Sequence, residues 1–448
     1  MVARSGRCAA QLERLENRRL LAAMTYTVVD LGPSPSSTGY DIEAPSRVNK
    51  SYVSGGYYNN SFQLRAFRSD NAIKKAIDLP PVKFSTEAAA TDLTETGIVV
   101  GISYNGTTHT ATKWVKGSPT NLGSGEATAI SNNGKYIVGT RQLGGESIAE
   151  DRAVIYAPTP KTLGTLGGTG SHANDVNNSG LIVGQASNKL GQPMPFVYDG
   201  SKMIQISGGQ DLGEAFAINN SGQVVGELAS EAFSYDSKSR KLTMLSPAIV
   251  KNATGSSTAL DINGAGQIVG FTNTASGTAA TVWNGAAPSD LNKLISSKSG
   301  WTLDYAKSID DQGQILGTGF FKGESHAFLL KPQRASLASN GTLTITGSVS
   351  ADSVSISLNG AKLNVVINGT AQSFSRSSVK RLSIDLASGD DSLGVGTGAP
   401  PVNVKAGNGN DTLNLRNGVK DVVDGGSGKD KAKLDGADSK TGIETLLA

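Results

Sequence analysis

A ten-residue stretch, Asp261-Ile-Asn-Gly-Ala-Gly-Gln-Ile-Val-Gly270, returns along this chain with small changes, and that recurrence constrains the fold more than any other feature. Aligning the terminal glycines marks Gly55, Gly101, Gly139, Gly184, Gly226, Gly270 and Gly317, which are seven copies spaced 38 to 47 residues apart. This is the period of a four-stranded propeller blade. One such unit cannot bury its own apolar side chains, so the copies must pack on one another.

Each copy carries the same punctuation. An alternating run such as Ala127–Ile130 meets a turn, Ser131-Asn-Asn-Gly134, and a β-branched run, Tyr136–Val138, follows. This pattern marks a hairpin, because Asn bonds its own backbone in a turn and Gly reaches positive φ without a steric penalty. Further on, a third run brings an aromatic, as in Arg65-Ala-Phe67, Thr112-Lys-Trp114, Val154-Ile-Tyr156, Phe196-Val-Tyr198, Phe233-Ser-Tyr235, Val282-Trp283 and His326–Leu330. A fourth run is visible in Ala76–Leu79, Thr162–Leu166, Met203–Ile206 and Leu242–Leu245. The seventh copy stops after three runs at Leu330, while Tyr26–Leu31 stands alone before the first. Pairing these two ends would close a ring without exposed edges. The expectation is an all-β protein with a seven-bladed propeller of four-stranded blades over residues 24–331.

These repeats resemble the HAF family of bacterial extracellular repeats, through Leu163–Gly168, Asp175–Gly184, Ala217–Gly226 and the triplet His326-Ala-Phe328 that gives the family its name. The resemblance implies an exported or surface-displayed, propeller-like domain and brings no catalytic assignment. Residues 1–23 are basic, with Arg4, Arg7, Arg14, Arg18 and Arg19, and Leu12, Leu15 and Leu20 at helical spacing. One reading is a frayed amphipathic helix. The other is a sorting segment, since Gln11–Ala22 resembles the LEPR-XLL motif of large bacterial surface proteins. Together these features place the protein outside the cytoplasm, extracellular or at the cell surface, with association to the cell envelope.

Composition narrows the partners. A formal charge of +3 over 448 residues, with acids and bases interspersed, leaves no electrostatic footprint for nucleic acid. No apolar run approaches the roughly twenty residues of a spanning helix. The one cysteine, Cys8, excludes an intrachain disulfide, and one Cys with the widely separated His109, His172 and His326 builds no tetrahedral metal site.

After a polar linker at 332–340 a second β-rich domain is expected over 341–448. Thr342–Thr346, Ser353–Leu358, Leu363–Ile367 and Leu382–Leu386 alternate as strands. From Ala387 the turns become Ser388-Gly-Asp-Asp391, Gly407-Asn-Gly-Asn-Asp411, Gly418-Val-Lys-Asp421 and Gly425–Asp430. They resemble the glycine-rich nonapeptides of RTX-type calcium-binding β-rolls. That resemblance implies Ca²⁺ between the turns, with Asp411, Asp430, Asn408 and Asn410 as ligands, because this cation takes six to eight oxygens. The alternative is a decayed roll that holds its turns by Asx-type bonds.

No Gly-x-Ser-x-Gly elbow, phosphate loop or His-Glu-x-x-His is placed for catalysis. Asp92, Asp175 and Asp261 occupy one repeat position, with Asp310 close to register. They read either as carboxylates converging on the axis or as caps of the turns that follow, and repetition favours caps. His326 reads as a ligand or as a packed strand residue. The function expected is non-catalytic binding or adhesion toward a protein or polysaccharide. The alternatives are an extracellular polysaccharide hydrolase or lyase with its site at the propeller mouth, or a structural envelope component. An acid, His or Tyr present in one blade only would mark the enzyme.

Overall fold

The computed structural model describes residues 25–33, 47–49, 52–58, 63–70, 76–106, 108–141, 151–209, 211–248, 253–275 and 277–447. The sorting segment and Cys8 lie outside the described residues. The chain divides into two compact units, Met1–Lys331 and Pro332–Ala448.

The first unit is a seven-bladed β-propeller of four-stranded antiparallel sheets. The first strands of the blades are Arg47–Asn49, Glu87–Leu93, Glu126–Ile130, Gly167–Val176, Gly213–Ile218, Ala253–Ile262 and Trp301–Ile309. Each touches the first strands of both neighbouring blades, so these strands form the inner wall of the ring. The seventh blade joins Trp301–Ile309, Ile315–Phe321 and Glu324–Pro332 to Tyr26–Pro33, the fourth strand expected from the opposite end of the sequence. His326 belongs to this closure: its Nδ1 lies 2.8 Å from Asp30 Oδ1, and Trp301 and Phe321 pack edge-on against its ring. Burial opposes ionisation of Asp30, but the bonds from His326 and the Gly32 N–H hold its carboxyl below the usual range.

The signature glycine has a steric cause. In each of blades 2 to 7 the first strand carries a β-bulge opposite it, as between Ala90 and Asp92 or Ala215 and Ala217. The bulge drives a carbonyl into the space a side chain would fill. A Cβ at Gly226 would lie 2.0 Å from Glu214 O, one at Gly184 2.0 Å from His172 O, and one at Gly270 1.9 Å from Thr258 O. Phe196, Phe233 and Phe328 pair across from Gly184, Gly226 and Gly317 and are wholly buried. Trp114 and Trp283 fill the same layer and donate Nε1–H to Pro80 O and Ser246 O, each at 2.7 Å.

Beside the bulge, the repeated aspartates join blades. Asp175 accepts the Val176 N–H on Oδ1 (2.7 Å) and, on Oδ2, the Ile218 N–H of the next blade (2.8 Å). Asp92 binds Leu93 and Ile130 in the same way, and Asp261 binds Ile262 and Ile309. These carboxylates therefore clip blades 2 to 3, 4 to 5 and 6 to 7. They are not caps of the following turn, because the turn is closed by the next polar residue: Asn177 Oδ1 accepts Ser179 and Leu181 N–H, and Asn219 Oδ1 accepts Ser221 and Gln223 N–H. Asp310 occupies this turn position, accepting the Gln314 N–H at 2.8 Å, and is out of register with the clips. The turns bond one another as well. Asn177 Nδ2 reaches Asn219 O, Asn219 Nδ2 reaches Asn263 O, and Asn263 Nδ2 reaches Asp310 O, at 3.1, 3.0 and 3.0 Å.

The second unit is a parallel roll of two sheets over a shared aliphatic core that includes Leu343, Ile345, Leu382, Val404, Leu413 and Ala432. The chain alternates between the sheets: Thr342–Thr346, Arg381–Asp385, Val402–Asn408 and Val422–Ser427 stack in one, and Ser353–Asn359, Ser392–Val395, Thr412–Asn414 and Lys431–Lys433 in the other. The roll thus starts at Thr342, well before the glycine-rich turns. A hairpin, Lys362–Ile367 with Thr370–Ser375, extends the second sheet. Buried aspartates link successive coils. Asp391 Oδ1 takes the Asp352 N–H, Asp411 Oδ1 the Asp391 N–H and Asp430 Oδ1 the Asp411 N–H, at 2.7, 2.8 and 2.8 Å. A second column joins Val402 N–H to Asp421 and Asp421 N–H to Asp438. Burial pushes the Asp421 carboxyl up to about 6, with Asp438 and Asp435 adding to burial against the Val402 N–H bond.

Two outcomes follow. Gly226→Ala should destabilise the propeller by about 1–3 kcal/mol or prevent its folding, because backbone must move to admit the methyl; Asp175→Ala should cost about 2–4 kcal/mol by leaving two buried N–H groups without this acceptor. Chemical denaturation followed by tryptophan fluorescence measures both, and wild-type midpoints would refute the clip. In the roll, the raised carboxyl of Asp421 stabilises the fold fully below its unfolded value, and this contribution is lost as pH rises through about 6. The loss is on the order of 2–3 kcal/mol. Hydrogen exchange of amides 402–441 should therefore speed up from about pH 4 to 8 beyond the intrinsic rate change, and Asp421→Asn should flatten that dependence.

Candidate functional site

The two ends of the propeller's inner wall differ in chemistry. At one end the Asn and Asp turns converge around a polar hollow of about 50 Å³, lined by Val48, Ile130, Ile218, Ile262, Ile309 and the turn residues. Its polar groups are largely spent on the blade-to-blade bonds described above, so it reads as the stitched end of the ring. The other end lies four residues back along each inner strand, roughly 13 Å away at a strand's rise per residue.

There the repeat diverges. The residue before the bulge alanine is Ala89, Glu126, His172, Glu214, Thr258 and Tyr305 in blades 2 to 7, and its partner on the second strand is Ile102, Thr140, Gln185, Glu227, Phe271 and Thr318. These positions form one continuous arc, in which contacts across a strand pair alternate with contacts across a blade seam. Thr140 Oγ1 lies 3.5 Å from His172 Nδ1, and His172 pairs across the sheet with Gln185. Gln185 Nε2 donates to Glu214 Oε2 at 3.4 Å, while Asn174 Nδ2 donates to Glu214 Oε1 at 2.7 Å. Glu214 sits directly opposite Glu227, whose Oε2 accepts the Thr258 hydroxyl at 2.6 Å. Thr258 pairs with Phe271, and the Phe271 ring meets Tyr305 edge-on with centroids 4.8 Å apart.

Electrostatics set this arc apart. Burial raises the Glu214 carboxyl and the nearby Glu227 raises it further, against the Asn174 bond and His172. The two glutamates have neutral hydrogen-bond donors and no Lys or Arg partner among the described residues. Next to Tyr305, burial alone pushes Asp304 up to about 6. Asp151 is also raised by burial, and both His172 and His109 pull it the other way. The ring thus brings His109, Asp151 and His172 near one another from three blades, which sequence distance concealed, although no three His, Cys, Asp or Glu side chains among the described residues converge to hold a metal ion. A cavity of about 280 Å³ adjoins the arc at blade 4, lined by Thr169, Gly170, His172, Gln185, Ala186, Ser187 and Gly191.

The residues expected to bind calcium lie in the roll. Asp411 and Asp430 stack in the buried column, each with Oδ1 on a backbone N–H of the neighbouring coil and Oδ2 buried without a hydrogen-bond partner. Asn408 and Asn410 are at the exposed turn: Asn408 Nδ2 donates to Ser388 Oγ, and Asn410 Oδ1 accepts the Lys429 N–H at 3.0 Å. The buried pair and the exposed pair are engaged separately. Each aspartate thus has one oxygen on backbone and one buried oxygen without a hydrogen-bond partner.

Comparison with known proteins gives a family. No curated protein matches the chain. Among solved structures it is similar to TolB from Acinetobacter baumannii (10% identity, 63% of this chain and 64% of TolB, TM-score 0.38) and to the Pyrococcus horikoshii acylaminoacyl peptidase (8% identity, 65% and 51% covered, TM-score 0.44). It is also similar to an oligogalacturonate lyase in complex with manganese, at 12% identity, 69% and 96% coverage and a TM-score of 0.43. The chain spans 64% of TolB and 50% of a Mycobacterium tuberculosis puromycin-hydrolysing peptidase, and none of these likenesses bears on activity. A family model described as a protein of unknown function, DUF3466, matches residues 83–373, from the second blade into the roll. That match covers more than half of the sequence, and the chain belongs to the DUF3466 family.

Proposed function

We propose that this is an extracellular or cell-surface binding protein without catalytic activity, and that it engages protein or polysaccharide through the divergent end of its propeller. The observation that carries this reading is the contrast along the inner strands: the positions that stitch the ring repeat, while the cross-strand pair one residue before the bulge alanine is a different combination in each of blades 2 to 7. Repetition serves the ring, and divergence serves a ligand that has no sevenfold symmetry. The outward placement rests on the resemblance of the repeats to HAF proteins, of residues 11–22 to a LEPR-XLL sorting motif and of the roll to RTX segments. On this reading the roll is a structural companion held by its aspartate columns, and calcium is not needed for the binding.

The competing reading is a hydrolase or lyase, and the observations behind it are the cross-strand pair Glu214 and Glu227 and the presence at this register of a His, His172, and a Tyr, Tyr305, each in one of blades 2 to 7 only. Paired carboxylates serve glycoside cleavage when one is kept protonated and the other ionised. Affinity electrophoresis of the full chain in gels cast with soluble polysaccharides, run beside an assay for new reducing ends and for unsaturated products, separates the two. Binding should retard the protein, leave the polymer intact, and be lost on Tyr305→Ala but kept on Met244→Ser at the outer edge of blade 5. Chain cleavage abolished by Glu214→Gln would replace the binding reading with the enzymatic one.

A further inference from the structure

The chemistry of the arc is specific enough to name a ligand class. Tyr305 is the most open member of the arc, at 36% exposed, and Phe271 braces it edge-on. An aromatic face held in this way offers negative potential to the slightly positive C–H groups on one side of a pyranose ring. Further along the arc, past Phe271 and Thr258, lie carboxylates and an amide at half-buried positions: Glu227 keeps Oε1 beyond its bond to Thr258, and Gln185 and Glu214 present planar groups toward neighbouring blades. Planar groups with paired atoms suit vicinal hydroxyls, which both donate and accept. The adjoining cavity of about 280 Å³ lies just below the size of common small-ligand pockets, about 300 to 1,000 Å³, and has room for a single sugar residue. Charge decides which sugars are excluded. The arc holds Glu214 and Glu227, with Asp304 beside it and Glu126 across from Thr140. None of Thr140, His172, Gln185, Glu214, Glu227, Thr258, Phe271 and Tyr305 is a Lys or Arg, and the guanidinium of Arg152, which bonds Thr169 O at the blade 4 cavity, is at the far end of the arc from Tyr305. A uronate or sulfated sugar would set its anion against these carboxylates in a partly desolvated place, where like charges repel strongly.

We propose that the arc between blades 3 and 7 binds a neutral oligosaccharide, with one pyranose stacked on Tyr305 and the hydroxyls of further sugar residues along the arc on Glu227, Glu214 and Gln185, and that the carboxylates turn away acidic glycans. This rests on the binding reading above and narrows it to one class of ligand.

The test uses the full chain and isothermal titration with neutral gluco-, manno-, galacto- and xylo-hexaoses beside hexagalacturonate. The expected result is saturable binding of at least one neutral hexaose and none of hexagalacturonate. Tyr305→Ala should weaken binding by about tenfold or more, Met244→Ser should leave it unchanged, and Glu214→Gln with Glu227→Gln should weaken neutral binding while admitting hexagalacturonate. Circular dichroism and melting curves confirm that each variant is folded. Binding of hexagalacturonate by the wild type, or neutral binding unaffected by Tyr305→Ala, overturns the assignment. If every hexaose fails while a protein ligand is lost on Tyr305→Ala, the glycan class falls and the binding reading stands. If no ligand of either kind depends on Tyr305, both fall.

Discussion

The ring depends on one close approach. At the inner-strand bulge a carbonyl comes within about 2 Å of where a side chain would begin on the neighbouring strand, so only glycine fits. The bulge does more than exclude a Cβ. It displaces one residue from the ladder and turns its side chain to the seam, where Thr91 donates to Ala127 O, Thr128 to Ala173 O and Asn174 to Ala215 O, at 2.7, 2.6 and 3.0 Å. The next residue carries the aspartate clip. Three consecutive demands, a glycine, a donor and an acceptor, are therefore met within a few residues of one irregularity, which is why the repeat is most recognisable there.

The clips alternate, which gives the ring an internal rhythm that blade counting misses. Aspartates join blades 2 to 3, 4 to 5 and 6 to 7, and Ser308 supplies a weaker version from blade 7 to blade 1, with its hydroxyl 3.4 Å from Val48 N. Where the equivalent residue is Ala129 or Ala217, the seam relies on the bulge donor or on the asparagine turns. The strands contributed by Tyr26–Pro33 and the His326–Asp30 pair then complete a ring that has no free end in its seventh sheet.

Much of this was legible in sequence, for a definite reason. Inner strands and their turns are forced into specific residue types by sterics and by buried hydrogen bonds, so the seven blades, the closing strand and the third-strand aromatics could be read directly. The outer strands Ser118–Ser124 and Ala287–Asp290 could not, because they are half-exposed edges with no apolar alternation. The roll's early coils were hidden as well, since Thr342–Thr346 and Arg381–Asp385 lack the glycine turns and are parallel only through contacts distant in sequence. Sequence makes Asp175 look like a turn cap because it shows proximity to the turn but not the N–H of Ile218 in the neighbouring blade. The candidate site was the least visible part. Its residues share a register position, but their identity differs from blade to blade, so no motif marks them.

That last point explains why such a site sits where it does. The stitching bonds are made by backbone groups, by the bulge donor and by the clip, all within a short span that tolerates little change. One residue before the bulge alanine, the inner strand's side chain is not needed for the glycine contact, the clip or the turn bonds, although its carbonyl is the one that meets the glycine and Glu214 also accepts from the bulge donor Asn174. Backbone there is fixed while the identity of the side chain changes between blades. Glu214, His172, Thr258 and Tyr305 can therefore stand in one register on a rigid wall, each backed by a cross-strand partner and a neighbouring blade. A ring built from copies gains an asymmetric surface at the position where its glycine contacts, clips and turn bonds do not dictate the side chain, and the arc from Thr140 to Tyr305 occupies that position.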